Sequence, residues 1–269
     1  PALVDQGRSV SISRGTTDLA FSISASDSGS LRLSPLLLSN GQQAQAHILA
    51  ARVSATIAHD TRFSLGIRQA AAGEVAALQG ISGSAFITAS VAQMDSGFER
   101  IPGQSFALRH QLGRFGFTGS VEAGEARLFE RGGAMFIRKK LNRYPYSSIG
   151  VALDHQIGPA KFAVGANWMR ENETVLGARF ANFIGQNGAR SLFVDGRGDI
   201  PLIGGWSLGA SWRQGWTDAN AAASLMRQSS MHSNAFSLDL SSGNILTHHD
   251  RIAFRIAQPL RVVRGGLAL

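Results

Sequence analysis

The chain has no cysteine, and that absence removes disulfides, thiolate metal sites and a cysteine nucleophile. An oxidising periplasm or cell surface is compatible with it, as are other compartments. No run of 18 apolar residues occurs, which excludes a helical membrane span. Lysine is nearly missing, with Lys139, Lys140 and Lys161 against 23 arginines in a net charge of +8. The arginines are scattered, and the one dense run, IRKKLNR at 137 to 143, reads as loop. Nucleic-acid binding is therefore not expected, whereas contact with anionic headgroups of outer-membrane lipid and lipopolysaccharide is. Proline is scarce, 7 against 31 glycines, which suits a sheet with many close turns. A mean hydropathy of +0.01 with 16% charged residues results when every strand has one apolar and one polar face.

Catalytic signatures are absent as well. GISGSAF at 80 to 86 and GASWRQG at 209 to 215 both break the G-x-S-x-G spacing, and there is no H-E-x-x-H or P-loop. DGRGDIP around Gly196 and Gly198 lacks the third glycine of a dinucleotide fingerprint. The seven histidines (47, 59, 110, 155, 232, 248, 249) form no His-x-x-x-His pair. His248 and His249 adjoin Asp250, but neighbours on a strand face opposite sides, so no metal site is assigned there. Asp154-His155 and His59-Asp60 are adjacent in sequence only, which turn or lumen polarity explains. No catalytic residue, metal or cofactor is expected in this segment.

What is present is alternation. Trp206, Trp212 and Trp216 lie at even spacings in GWSLGASWRQGW, so a strand projects all three from one face. Residues 206 and 216 stand about 33 Å apart along a strand, or ~25 Å at a tilt of about 40°, the height of the apolar band of an outer-membrane barrel with aromatic girdles at both rims. The same period groups Leu19, Phe21 and Ile23; Phe63, Leu65 and Ile67; Phe106, Leu108 and Leu112; Phe115, Phe117, Val121 and Ala123; and Ile149, Val151, Leu153 and Ile157. Phe162, Val164, Ala166 and Trp168 continue it, then Leu192, Val194 and Ile200, then Phe236, Leu238 and Leu240, then Ile252, Phe254, Ile256, Leu260 and Val262. Soluble sandwiches alternate too, so strand length and loops must decide. Segments 147–157, 160–170, 205–216 and 250–263 exceed the usual soluble strand. Connections alternate between short (158–159, 201–205) and long (171–190, 217–233), the barrel pattern of short turns on one side and long loops on the other.

The first half breaks parity. If 61–69, 84–94, 104–112 and 115–124 all span, the tight turns at Gly113-Arg114 and Gly158-Pro159 fall on opposite sides. The segment assigned as non-spanning is 70–94, where AAAGEVAALQG predicts a short helix near 70–80, lying in a loop or plugging the lumen. The expected fold is all-β: an incomplete antiparallel transmembrane β-barrel over 47–269, with 1–46 a Ser- and Gly-rich linker from an upstream domain and the first strand or strands. Pro1 in place of Met, and the ending GGLAL, read as an internal fragment.

The runs LRHQLGRFGFTGSVEAGEA, WMRENETVLGARF, GWSLGASWRQGWT and SNAFSLDL…DRIAFRIAQPLRVVRGGLAL resemble the region downstream of the protease domain in subtilisin-like serine protease autotransporters of sphingomonad-type alphaproteobacteria. The resemblance covers roughly residues 100–269, and its most specific pieces are ETVLGARF and AQPLRV…GG. It implies a C-terminal barrel in the outer membrane of a Gram-negative bacterium that anchors or delivers a covalently linked catalytic passenger, inserted by the barrel-assembly machinery. The family's Asp, His and Ser protease motifs do not occur here, so no catalytic residue carries over. The residues expected to face lipid or form the girdle are Trp168, Trp206, Trp212, Trp216, Phe115, Phe117, Phe236 and Phe254. Arg213, Arg251, Arg255 and Asp239 are expected to face the lumen, along with Arg109, Glu122, Asp154, Arg197 and Asp199, because an arginine on the lipid face costs about 2–4 kcal/mol at midplane. A porin-like channel and a soluble all-β accessory domain of a secreted protease are the alternatives, the latter requiring that the same Trp, Phe and Leu face form a core.

Overall fold

The computed structural model describes residues 8–14, 16–25, 46–81, 100–129, 141–177, 186–221, 229–243 and 251–265. Period-two alternation becomes twelve strands: β1 (Arg8–Arg14), β2 (Thr17–Ala25), β3 (Ala46–Ala58), β4 (Thr61–Ile67), β5 (Arg100–Leu112), β6 (Phe115–Phe129), β7 (Leu141–Ile157), β8 (Ala160–Glu171), β9 (Gln186–Pro201), β10 (Trp206–Ala221), β11 (Ser229–Gly243) and β12 (Arg251–Gly265). Among the described residues one α-helix, α1 (Ala71–Gln79), follows β4. Each strand pairs antiparallel with its sequence neighbour, in the order β1 to β12. Among the described residues β1 and β12 are not paired with each other. The strands before residue 46 thus lie in the same ladder as the rest, with Leu19 opposite Val53.

Strict up-and-down order divides the connections between two ends. One end carries 15–16, His59–Asp60, Gly113–Arg114, Gly158–Pro159, 202–205 and 244–250; the other carries 26–45, 68–99, 130–140, 172–185 and 222–228. Parity is restored because β4 pairs directly with β5, Leu65 opposite Phe106, leaving no place for a strand between them. Residues 84–94 themselves lie outside the described residues. The 217–233 connection contracts to 222–228, since β10 and β11 extend their ladder to Ala219 opposite Ser229. Cross-strand hydrogen bonding prolongs both strands beyond the last apolar position, a gain that side-chain alternation does not register.

Polarity is inverted relative to a water-soluble protein. Leu65, Phe106, Val121, Ile149, Trp168, Leu192 and Trp216 form one continuous register row, and every one of them is exposed. The opposite face buries Ser64, Ser105, Thr118, Ser120, Glu122, Ser148, Asp154, Ser191 and Arg213. Apolar outside and polar inside is the arrangement of a transmembrane β-barrel wall, in which lipid solvates the outer side chains and the ladder satisfies the backbone.

Candidate functional site

Among the described residues two pieces of chain fill the inner face. The first is α1, whose residues Ala71, Glu74, Val75, Leu78 and Gln79 recur at helical spacing and are buried. Val75 and Leu78 pack against Ala107 of β5, with Ala152 of β7 beside them. The small side chain of Ala107 leaves room for a helix against the wall, and the contact leaves it with no exposed surface. Lys161 of β8 reaches the same helix, donating from Nζ to the Gly80 carbonyl at 2.6 Å, and Arg197 of β9 donates to the Ala72 carbonyl at 3.4 Å. Strands three and four places apart in the ladder, β5 with β8 and β9, therefore meet on one helix, so the sheet curls around it.

Nine residues make a marginal helix in isolation, and the N-cap position, Ala70, offers no side-chain acceptor. The wall supplies what the helix lacks. Glu122 Oε2 of β6 accepts the Ala71 amide at 2.6 Å, while its Oε1 accepts the Tyr146 hydroxyl at 2.6 Å. At the other end Gly80, at φ 61°, turns the chain, so that its amide and that of Ile81 close on the Ala77 and Ala76 carbonyls. A carboxylate at the N-terminus and an ammonium at the C-terminus both complement the helix dipole. The Ser64 hydroxyl donates to Glu74 Oε2, and Ser54 continues the chain at 2.9 Å from Ser64. Burial inside the plug raises the Glu74 carboxyl above its ordinary range, against the opposing effects of the Ser64 hydrogen bond and the Arg52 charge.

The second insertion follows β8 within the ETVLG run. Glu171, buried at the end of that strand, accepts from the Thr174 hydroxyl at 2.9 Å, the Leu176 amide at 2.7 Å and the Gly177 amide at 2.6 Å. This folds Val175 and Leu176 inward onto Tyr146, Met169, Phe193, Ala219 and Met231, with Leu260 of β12 packed against the cluster.

The inner face also carries ion pairs. Arg109 is bidentate to Asp154, at 3.0 and 2.6 Å, and Arg213 to Asp195, at 2.5 and 3.2 Å. Arg255 approaches Asp239 at 2.8 Å. Arg109 and Asp154 lie on β5 and β7, so their pair crosses β6, and it does so over Gly116: a Cβ there would stand 2.3 Å from the guanidinium and 2.4 Å from the carboxylate. The Arg213 guanidinium also lies 5.2 Å from the centroid of the Phe193 ring.

The sequence-derived positions are thus distributed over both faces. Trp168, Trp212, Trp216, Phe115, Phe117, Phe236 and Phe254 are exposed on the outer face, and Trp206 is half-buried beside the 202–205 turn. Trp216 meets His232 edge-on at 6.0 Å. Arg213, Arg255 and Asp239 form inner ion pairs, whereas the side chain of Arg251 lies outside the described residues. His248, His249 and Asp250 also lie outside them. His59 and Asp60 do hydrogen-bond, at 2.8 Å in an exposed turn, while Asp154 turns to Arg109 rather than to His155. The sequence pattern missed Asp195, Glu74, Glu171 and Lys161. Asp195 alternates with Val194 and was within reach of the pattern, but the partners of the other three depend on tertiary folding.

No family model matches the chain, and no curated protein matches it. Among solved structures it is similar to OmpT, an outer membrane protein of Vibrio cholerae. With the in-vitro folded form the TM-score is 0.47 at 9% identity, over 90% of this chain and 65% of that one. With the trimer form they are 0.45 and 8%, over 93% and 69%. With the loop L8 deletion mutant they are 0.44 and 9%, over 94% and 74%. This chain thus spans 65% of the in-vitro folded OmpT chain, and likeness of this degree carries no functional inference.

Proposed function

We propose that this chain is an outer-membrane β-barrel region that anchors, and helps deliver, a covalently linked subtilisin-like serine protease passenger in a Gram-negative bacterium. One observation carries the membrane half of the reading: an exposed apolar band surrounds an inner face of serines, carboxylates and paired arginines. Water would solvate the wrong face of such a wall, whereas lipid solvates the right one. The same observation removes the soluble accessory domain, whose core would have to be the Trp, Phe and Leu face. The protease half rests on the resemblance of residues 100–269, and the inward-folded ETVLG turn gives its most specific run a packing reason. Outer-membrane lipid and lipopolysaccharide are the proposed surroundings, and the barrel-assembly machinery the proposed insertion partner.

The role in delivery is passive: a hydrogen-bonded wall, a polar lumen and a helix that closes it. The test is expression of the uninterrupted reading frame in a Gram-negative host. Resistance to carbonate extraction with heat-modifiable migration, together with protease activity on intact cells, is the expected result. Carbonate-soluble protein overturns the barrel, and a membrane-embedded protein with no upstream protease in its frame overturns the passenger alone. A second reading, a porin-like channel, is favoured by the polar space beside α1 and predicts single-channel conductance without removal of the helix.

A further inference from the structure

At the end of the wall that carries the long connections, the outer face changes from apolar to charged. The register row beyond Ile149, Trp168, Leu192 and Trp216 reads Ser147, Arg170, Arg190, Asp218 and Ser230, on β7 to β11 in order, and all five are exposed. Trp168 precedes Arg170 by two positions on the same face, and Leu192 follows Arg190 by two. The two arginines therefore branch from the wall about 6 Å beyond the aromatic level, where headgroups replace hydrocarbon.

Arg170 and Arg190 are direct partners in the β8–β9 ladder, about 5 Å apart at their Cα atoms. Like charges placed directly opposite destabilise a sheet. Among the described residues no carboxylate closes an ion pair with either, and Asp218, opposite Arg190, stays outside that distance. Arg143, outward on β7, does meet Glu125, at 3.8 Å. The other rim of the same three strands is different: its outward positions carry His155, Ile157, Phe162 and Ile200, and no arginine or lysine. Barrels place short turns in the periplasm and long loops outside, so the arginine pair lies at the level of the outer leaflet.

The composition of the row selects the occupant. Two guanidinium groups side by side match the oxygens of a phosphate. A carboxylate next to a phosphate site needs a hydroxyl donor, which a sugar supplies to Asp218, and Ser147 and Ser230 add hydroxyls on either flank. Trp168, Leu192 and Trp216 present the apolar surface on which acyl chains lie. We propose that the Arg170–Arg190 pair is a docking site for the phosphorylated sugar head of an outer-leaflet glycolipid. This rests on the outer-membrane reading above and is independent of any passenger.

The experiment titrates the whole chain, purified in a non-ionic detergent, with diphosphorylated lipid A and counts retained lipid by native mass spectrometry. Saturable retention is expected, weakened about tenfold or more in the double variant Arg170→Gln/Arg190→Gln and unchanged in Arg114→Gln, which removes the same kind of charge at the opposite rim. Heat-modifiable migration verifies that the variants fold. Two further probes need no variant: lipid A stripped of its phosphates should bind about tenfold more weakly, and so should phosphatidic acid, which has phosphate without sugar. Equal retention of any of these three lipids, or a double variant that binds as the wild type does, overturns the proposal. A carbonate-resistant protein that retains no lipid A overturns the site alone, whereas carbonate-soluble protein overturns the membrane reading and the site with it.

Discussion

Among the described residues the lumen is filled at two places, by different means. The α1 helix is held at its termini by wall charges, Glu122 at one end and Lys161 at the other, over a small apolar contact with Ala107. The turn after β8 is held by a single carboxylate, Glu171, that gathers three donors and drives Val175 and Leu176 into an apolar cluster. Apolar packing commits a segment, because withdrawing it exposes hydrocarbon to the watery lumen. A helix held at its termini by charges, with the Ser64–Glu74 hydrogen bond between them, loosens end by end as those contacts are lost or screened. The difference predicts that α1 opens more readily than the ETVLG turn.

The sharpest way to break the contrast is Glu171→Ala, which strands two amides and releases the apolar turn. A loss of about 4 kcal/mol is expected in urea unfolding from micelles, whereas Glu171→Gln keeps an acceptor and loses less. Glu122→Ala should cost about 2 kcal/mol and raise amide exchange in 71–81 while leaving 172–177 protected. Gly116→Ala attacks the wall itself, forcing a methyl group into the Arg109–Asp154 pair at about 2 kcal/mol by the same unfolding measurement. Lys161→Met should cost less than about 1 kcal/mol and loosen only the C-terminal turn of α1, read again by amide exchange. The pH response is the finest test. Because the folded Glu74 carboxyl lies above its ordinary range, its contribution is complete below that range and lost as pH rises through the raised value. Wild-type protein should therefore lose stability towards neutral pH relative to Glu74→Gln, whose amide does not titrate, and parallel melting curves would refute the assignment.

Much of the wall was legible because alternation is a local signal. Phe115, Phe117, Trp168 and Trp212 announce their face through their own neighbours, and AAAGEVAALQG announces a helix by composition. Arg213 could be assigned to the lumen from Trp212 and Gln214 beside it, but its partner Asp195 depends on the register of β9 against β10. Glu122 was legible as an inner charge and not as a cap, because the helix it caps is 51 positions away in sequence. Likewise Lys161 meets Gly80 across 81 positions, a pairing that appears only when the sheet closes around the plug. Local periodicity determines which side a residue faces, and curvature determines what it finds there.

The ion pair that passes over Gly116 also has a meaning for assembly. Arg109 and Asp154 belong to strands that are not neighbours, and the strand between them offers one position without a side chain. If β6 slipped by one residue, Phe115 or Phe117 would stand beneath the pair, and if it slipped by two, Arg114 or Thr118 would. The guanidinium and the carboxylate close without a clash when β6 is in its native alignment, so the bond ties the register of the middle strand to that of its two neighbours.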